Sequence, residues 1–412
     1  MKILHLNAFD ILGGAARSAY RVHQALRQAG VDSRMLVQVK TGDDVTVCGP
    51  ASKAARGMGY IRPYMDQLPL YFYPKRTETV FHPAWLPFSG VLQRIKQCNP
   101  DLVHLHWIAG GFLRIEDLIR IPRPVVWTMH DMWTFTGGCH YDDGCGKYRH
   151  FCDACPQLKP SNRRDMSARV FNRKLRIFDG LKDLTVVGTS RWLSDAARDS
   201  RLLKDKRVLN IPTPIDPLVF RPLEKRTARD MLGLPPDKKV VLVGAMALLK
   251  DTRKGFSELC RALDRIKTPQ VELAVFGAGQ PRTDSAFDFP VHYLGTLHDD
   301  LSLRVAYCAA DVMVVPSLQE NLSNIILESL ACGTPVVAFR IGGNPDMIDH
   351  EHNGYLAEPF ESADLARGID RILNHLEPGI FSLNARRKVL DNFTPRRVAD
   401  QYLELYESLI HQ

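Results

Sequence analysis

The feature that most constrains this chain is a short apolar run without polar alternation, repeated many times between longer polar stretches. Such runs stand at residues 2–7, 33–39, 101–106, 125–129 and 185–188, and again at 240–244, 272–276, 311–315 and 335–339. A strand wetted on one face alternates apolar and polar residues, whereas a strand covered on both faces does not, and parallel sheets bury both faces. Between the first two runs, Gly13-Gly14 reads as a turn, residues 15–28 as an amphipathic helix, and Gly30 as its stop. The pattern predicts an α/β fold of two doubly wound domains.

Pro212, Pro214 and Pro217 crowd one short stretch and exclude regular structure there, which sets the expected boundary. The first domain is expected to span 1–212, joined by a C-terminal helix at 394–412 that returns to it, and the second to span 213–393. Residues 53–89 carry Pro63, Pro69, Pro74, Pro83 and Pro87 and read as an irregular excursion.

No apolar run approaches the roughly 20 residues of a spanning helix, and the opening residues lack a signal-peptide core, so a cytoplasmic protein is expected. The net charge of +8 is uneven. Residues 1–215 hold 32 Lys/Arg against 19 Asp/Glu (+13), and the remainder 22 against 27 (−5). Nucleic acid is one anionic partner, but no binding module supports it. An anionic membrane surface or a phosphate-bearing acceptor fits better, with the densest basic run at Lys159, Arg163, Arg164, Arg169, Arg173, Lys174 and Arg176. A solvated basic face accounts for the surplus equally well.

The most informative stretch is 311–335, DVMVVPSLQENLSNIILESLACGTP, which reads strand, loop, helix, glycine stop and next strand. Asn321, Leu322, Ser323 and Asn324 stand at the helix N-terminus, where unpaired N–H groups and the dipole favour a phosphate. Glu320 lies just ahead of that anion site and Glu328 about two turns beyond it. Each glutamate alone reads as a surface charge. Together, at the C-terminal end of a strand where open α/β sheets bind ligands, they read as a site.

The paired glutamates of PSLQENLSNIILESLACGTPVVA, with Gly342-Gly343-Asn344-Pro345-Asp346 and Asn353-Gly354-Tyr355-Leu356, resemble the signature of glycosyltransferase family four. The resemblance implies the GT-B fold, two facing Rossmann-like domains with a cleft between them. It implies a nucleotide-sugar donor, UDP- or GDP-linked, a glycan or lipid-linked acceptor, and retention by front-face attack without a catalytic metal. Glu320 then approaches the donor sugar, Glu328 bonds the ribose hydroxyls, and Asn321 to Asn324 line the phosphates. The family's basic pair for the diphosphate falls on Arg253 and Lys254, because Ala245 replaces the usual Arg; Lys250 is a solvated turn charge as readily as a ligand. Gly13 and Gly14 face the donor, with Arg17 a further candidate. His130 lines up with a histidine near the reacting sugar and acceptor, oriented by Asp131, while His104 and His106 are expected to serve structure. A GT-B epimerase or a non-catalytic sugar-nucleotide-binding subunit shares these parts, but no acid/base carboxylates beyond the glutamate pair are assignable for the former.

Cys139, Cys145, Cys152 and Cys155 occupy a polar insert at 137–158. Four cysteines ending in Cys-x2-Cys offer the thiolate set of a structural zinc site; two disulfides or four reduced thiols are the alternatives. The insert resembles one in colanic-acid-type bacterial polysaccharide glycosyltransferases, which implies surface, exopolysaccharide-type biosynthesis at the inner face of the membrane.

Overall fold

The computed structural model describes residues 1–160, 162–181, 183–244, 251–277 and 289–410. The chain divides into two compact units, Met1–Pro214 with Pro395–Gln412, and Ile215–Thr394.

The first unit runs β1 (Lys2–Phe9), α1 (Gly14–Gln28), β2 (Asp32–Val39), β3 (Val47–Cys48), α2 (Lys53–Gln67), α3 (Val91–Cys98), β4 (Leu102–Leu105), β5 (Val125–Met129), α4 (Met166–Gly180), β6 (Leu184–Gly188), α5 (Arg191–Arg198) and β7 (Arg207–Asn210). Its seven strands lie in the order β3-β2-β1-β4-β5-β6-β7, every pair parallel. All residues of β4, β5 and β6 are buried, the state that their unbroken apolar character requires.

The stretch read as an irregular excursion contains a 15-residue helix instead. The Ser52 side chain caps α2 by accepting from the Ala55 N–H, and the helix runs on through Pro63. Gly59 lets α2 lie against β2, since a Cβ there would stand 2.6 Å from the Gln38 carbonyl oxygen. Pro63 inside it and the prolines that follow hid this helix, because proline breaks helices on average and not at every position.

The second unit runs α6 (Lys225–Leu232), β8 (Lys239–Gly244), α7 (Phe256–Leu263), β9 (Val271–Phe276), β10 (Val291–Gly295), α8 (Asp300–Ala309), β11 (Val312–Val315), α9 (Asn324–Ala331), β12 (Val336–Phe339), the short α10 (Asn344–Met347), β13 (Gly354–Ala357), α11 (Ser362–Leu373) and α12 (Pro378–Asn392). Its parallel sheet has the order β10-β9-β8-β11-β12-β13. Chain order reverses between β8 and β11, so the loops leaving these two strands open at the switch point where doubly wound sheets bind ligands.

The last helix, α13 (Pro395–Ile410), belongs to the first unit. Its buried face, Val398, Ala399, Tyr402, Leu405 and Tyr406, packs in one cluster with Ile3, Val22, Leu26 and Val126. Two hydroxyls finish the seam: Tyr406 Oη lies 2.6 Å from His104 Nδ1, and Tyr402 Oη 2.9 Å from Thr128 Oγ1.

Candidate active site

In the second unit the loop after β11 and the turn before α7 are locked together. The Leu318 N–H donates to the Arg253 carbonyl at 2.7 Å. Gly255, at φ +69°, passes so close that a Cβ would stand 1.9 Å from the Pro316 carbonyl oxygen. Gly342 does the same from the other side, its missing Cβ 1.8 Å from the carbonyl oxygen of Glu320. The result brings Lys254 Nζ to 3.3 Å from Glu320 Oε2. Glu320 Oε1 also accepts from the Asn321 N–H at 3.2 Å.

Glu328 is buried on the inner face of α9, its Oε2 accepting from the Tyr307 hydroxyl at 2.8 Å. Neither position fits a surface helix charge. Asn321 and Ser323 are buried, Leu322 sits in the hydrophobic core, and Ser323 takes the N-cap position of α9 without a side-chain cap bond. Asn324 opens the helix. The Arg253 guanidinium grips Asp251 through two bonds of 3.0 and 2.8 Å. Burial would raise the Asp251 carboxyl, but this ion pair holds it below the usual range. Ala245 and Lys250 lie outside the described residues.

In the first unit, Gly13 is the N-cap of α1, Gly14 its first residue, and the Arg17 N–H donates to the Gly13 carbonyl at 3.0 Å. Three neighbouring strands, β1, β4 and β5, carry His5, His104, His106 and His130 at or just beyond them. His5 Nδ1 lies 2.9 Å from His106 Nε2, and His106 Nδ1 lies 3.2 Å from His130 Nε2. His104 is held by Thr128 and Tyr406, as a structural residue would be. Burial lowers His130 to about 4, against the nearby Asp131 charge, and keeps His5 and His106 well below the usual histidine range. These rings are therefore neutral near pH 7.

Asp131 does not take the expected role toward His130 by a direct bond. Its Oδ2 lies 2.7 Å from His140 Nδ1, and His140 Nε2 lies 2.8 Å from His82 Nδ1. Burial would raise the Asp131 carboxyl, but His140 and the Trp133 N–H hold it below the usual range. His140 comes from the cysteine insert, whose Gly138 and His140 bond the backbone of residues 80–82. The insert is thus tied to the core by backbone and histidine.

The cysteines are free thiols, with Cys139, Cys152 and Cys155 buried and Cys145 half-buried. A closed Zn–S4 tetrahedron needs sulfurs about 3.8 Å apart, from Zn–S bonds near 2.3 Å. Among the described residues no three of these sulfurs lie within 4.8 Å of one another, so the thiols as placed do not fit that site.

Part of the basic run at 159–176 is committed to the fold, through Arg173 and Lys174. Arg163 pairs with Asp153 at 2.9 Å, and Arg173 grips Glu116 and two carbonyls. Lys174 is fully buried, donating to the Trp133 and Thr136 carbonyls, and burial lowers it to about 7. Sequence reasoning missed Tyr307 and the His5–His106 chain, because nothing in local spacing pairs them with Glu328 or His130. Asp251, two residues before Arg253, was in plain view.

A family model described as Glycosyltransferase Family 4 matches residues 12–217, half of the chain, and one described as Glycosyl transferases group 1 matches 237–375. The chain belongs to glycosyltransferase family 4. This family 4 chain is 32% identical over 307 residues to D-inositol 3-phosphate glycosyltransferase 2 of Catenulispora acidiphila, covering 69% of this chain and 66% of that protein. It is 24% identical over 357 residues to the putative colanic acid biosynthesis glycosyl transferase WcaC of Escherichia coli, covering 82% and 83%. The family 4 chain spans about half to two thirds of the length of the first curated relatives it matches. Among solved structures it is similar to sucrose-phosphate synthase from Thermosynechococcus elongatus, with TM-score 0.71, 22% identity and all of both chains covered. Anabaena HepE in complex with UDP-glucose gives TM-score 0.64 at 19% identity, covering 99% and 100%. The two parallel-sheet units of this family 4 protein are those of the GT-B fold class.

Proposed function

We propose that this chain moves a sugar from a nucleotide-sugar donor, UDP- or GDP-linked, to a hydroxyl of a lipid-linked or growing glycan, with retention, in bacterial surface polysaccharide synthesis. The observation that carries the reading is Lys254 at 3.3 Å from Glu320, ahead of the α9 N-terminus, with Glu328 buried one helix turn deeper against Tyr307. Lys254 and the first-turn N–H groups of α9 supply positive potential for a diphosphate, where leaving-group charge develops. Glu328 offers a carboxylate to ribose hydroxyls and Glu320 one to the sugar. The bond between the sugar's anomeric carbon and the diphosphate oxygen breaks with its electron pair on the diphosphate. The acceptor hydroxyl bonds the same face of that carbon, and its proton goes to the departing phosphate oxygen. His130, with Gly13 and Gly14, orients the sugars. HepE's complex with UDP-glucose supports a uridine donor, and the WcaC relative supports a polysaccharide acceptor.

Incubation with a panel of UDP- and GDP-sugars, scored by nucleotide release with and without a glycolipid acceptor, tests this. Acceptor-dependent release from one donor is expected. An epimerised sugar made without acceptor would identify an epimerase, and tight binding without turnover a binding subunit.

The acceptor reading includes contact with an anionic bilayer through α2. The outward side of this helix is apolar: Met58, Ile61, Tyr64 and Leu68 are exposed, continued by Tyr71 and by Phe72, which is 85% exposed. Lys53, Arg56 and Lys75 are exposed beside them. Apolar and aromatic side chains flanked by cations suit the headgroup region, at about 1 kcal/mol per basic residue. Among the described residues no helix is long and apolar enough to cross a membrane. Co-sedimentation with phosphatidylglycerol vesicles is expected to fall strongly in Tyr64→Ser/Phe72→Ser. Unchanged binding would reject this face, and loss of a dimer instead would assign it to a second copy.

A further inference from the structure

His5, His106 and His130 form one line of rings. The bonded nitrogens are 2.9 and 3.2 Å apart, the ring centres 5.2 and 5.4 Å, and the planes differ by 20° and 26°. A neutral imidazole has one N–H and one lone pair, so in such a chain every proton must point the same way. The direction is set at the buried end. His5 is fully buried, and its Nε2 has no hydrogen-bond partner. An N–H buried without an acceptor is rarer in proteins than an unsatisfied acceptor, so Nε2 is the bare nitrogen and the His5 proton sits on Nδ1. It donates to His106 Nε2, which places the His106 proton on Nδ1. That in turn donates to His130 Nε2.

We infer that His5 and His106 are positioning residues that hold His130 as the neutral tautomer protonated on Nδ1, so that His130 serves transfer as a hydrogen-bond donor and not as a proton acceptor. The second half rests on the reading that His130 orients the reacting sugars; the first half does not. The Nε2 lone pair is already taken by His106, so a general base at His130 would require the whole line to reverse and leave an N–H stranded at His5. This agrees with a transfer in which the departing phosphate takes the acceptor's proton.

A metal is the competing use of this cluster, because His5, His104 and His106 bring ligand atoms within 4.8 Å of one another. His104 spends both nitrogens on Thr128 and Tyr406, and His106 spends both on His5 and His130. Only His5 Nε2 is open.

Long-range 1H–15N spectra of protein labelled at histidine read the tautomers directly in the unaltered chain, with His130→Gln used only to assign the His130 signals. The expected pattern is a protonated Nδ1 and a bare Nε2 at His130, with a bare Nε2 at His5. In His106→Leu the His130 pattern is expected to become a mixture, and kcat to fall about tenfold, the effect of one lost net hydrogen bond, with the donor KM little changed. His106→Gln, whose amide can still donate to His130, restores most of the rate. A protonated Nε2 at His130 in the unaltered chain overturns the proposal, as does a His106→Leu spectrum with His130 unchanged. Histidine signals that shift on adding chelator would assign the cluster to a metal and overturn it too. If His130→Ala kept full kcat while the spectrum held, the role in transfer would fail and the relay would stand.

Discussion

Lys254 Nζ stands 3.3 Å from Glu320 Oε2 although 66 residues separate the two. The pair is partly exposed, so its own contribution to stability is about 0–1 kcal/mol. Its consequence is placement: one cation and one carboxylate are fixed at the mouth of the switch-point loops. Lys254→Met is expected to leave melting nearly unchanged while lowering kcat about 10²-fold or more, the effect of removing one group that stabilises developing charge. Glu320→Gln is expected to depress turnover more than donor affinity. Steady-state kinetics check both, and wild-type kcat in the two variants would remove the site from this loop.

Glu328 and Tyr307 make the second prediction. A buried carboxylate with a 2.8 Å hydroxyl donor keeps one oxygen oriented and leaves acceptor capacity on the group. Glu328→Ala is expected to weaken nucleotide binding by about 1.5–3 kcal/mol, the range for hydrogen bonds to charged groups. Tyr307→Phe removes the hydroxyl that orients Glu328 and is expected to cost about 0.5–1.5 kcal/mol. Titration calorimetry with the nucleoside diphosphate separates them. Equal losses in both variants would mean that Glu328 acts through packing and not through the nucleotide.

Gly342→Ala places a Cβ where 1.8 Å separates it from the Glu320 carbonyl oxygen, at φ +48°. The backbone conformation alone costs about 1–3 kcal/mol for a residue other than glycine. The overlap must also push the Glu320 loop aside. Lower donor affinity and lower kcat are expected together, with less effect on the melting of the first unit. An unaltered donor affinity would show that the loop tolerates displacement.

The two parallel sheets were legible because strands buried on both faces leave an unbroken apolar run, and β4, β5, β6 and β11 are buried at every residue. Glu320 and Glu328 were legible because one strand–loop–helix unit carries both. Helix α2 was not, since Pro63 inside it and the prolines after it mimic a loop and its apolar stripe faces outward, opposite to the usual pattern. Lys174 looked like surface charge because spacing cannot reveal that Trp133 and Thr136 carbonyls lie within its reach. The same limit hid His140 as the partner of Asp131. Long-range pairing of polar side chains leaves no period in the sequence.

The buried histidines make the first unit acid-sensitive. Burial lowers His23 and His130 to about 4, and His82 and His104 to about 3, from the usual 6.5. Each is a base whose pKa is depressed by folding, so its contribution is intact above pH 6.5 and is lost as the pH falls toward 4. In that window the unfolded chain binds protons that the folded chain does not, at about 1.4 kcal/mol per pH unit for each group. Asp66 opposes them: burial raises it to about 6, so between pH 6 and 4 the folded chain holds a proton there that the unfolded chain has released. Four histidines outweigh one carboxylate. Calorimetry between pH 7 and 5 is expected to show the melting of the first unit moving down steeply, with net proton uptake on unfolding. His82→Phe is expected to flatten the dependence even if it lowers stability at pH 7. A first-unit transition that stays at one temperature across this range would mean that these rings are protonated or hydrated in the folded chain.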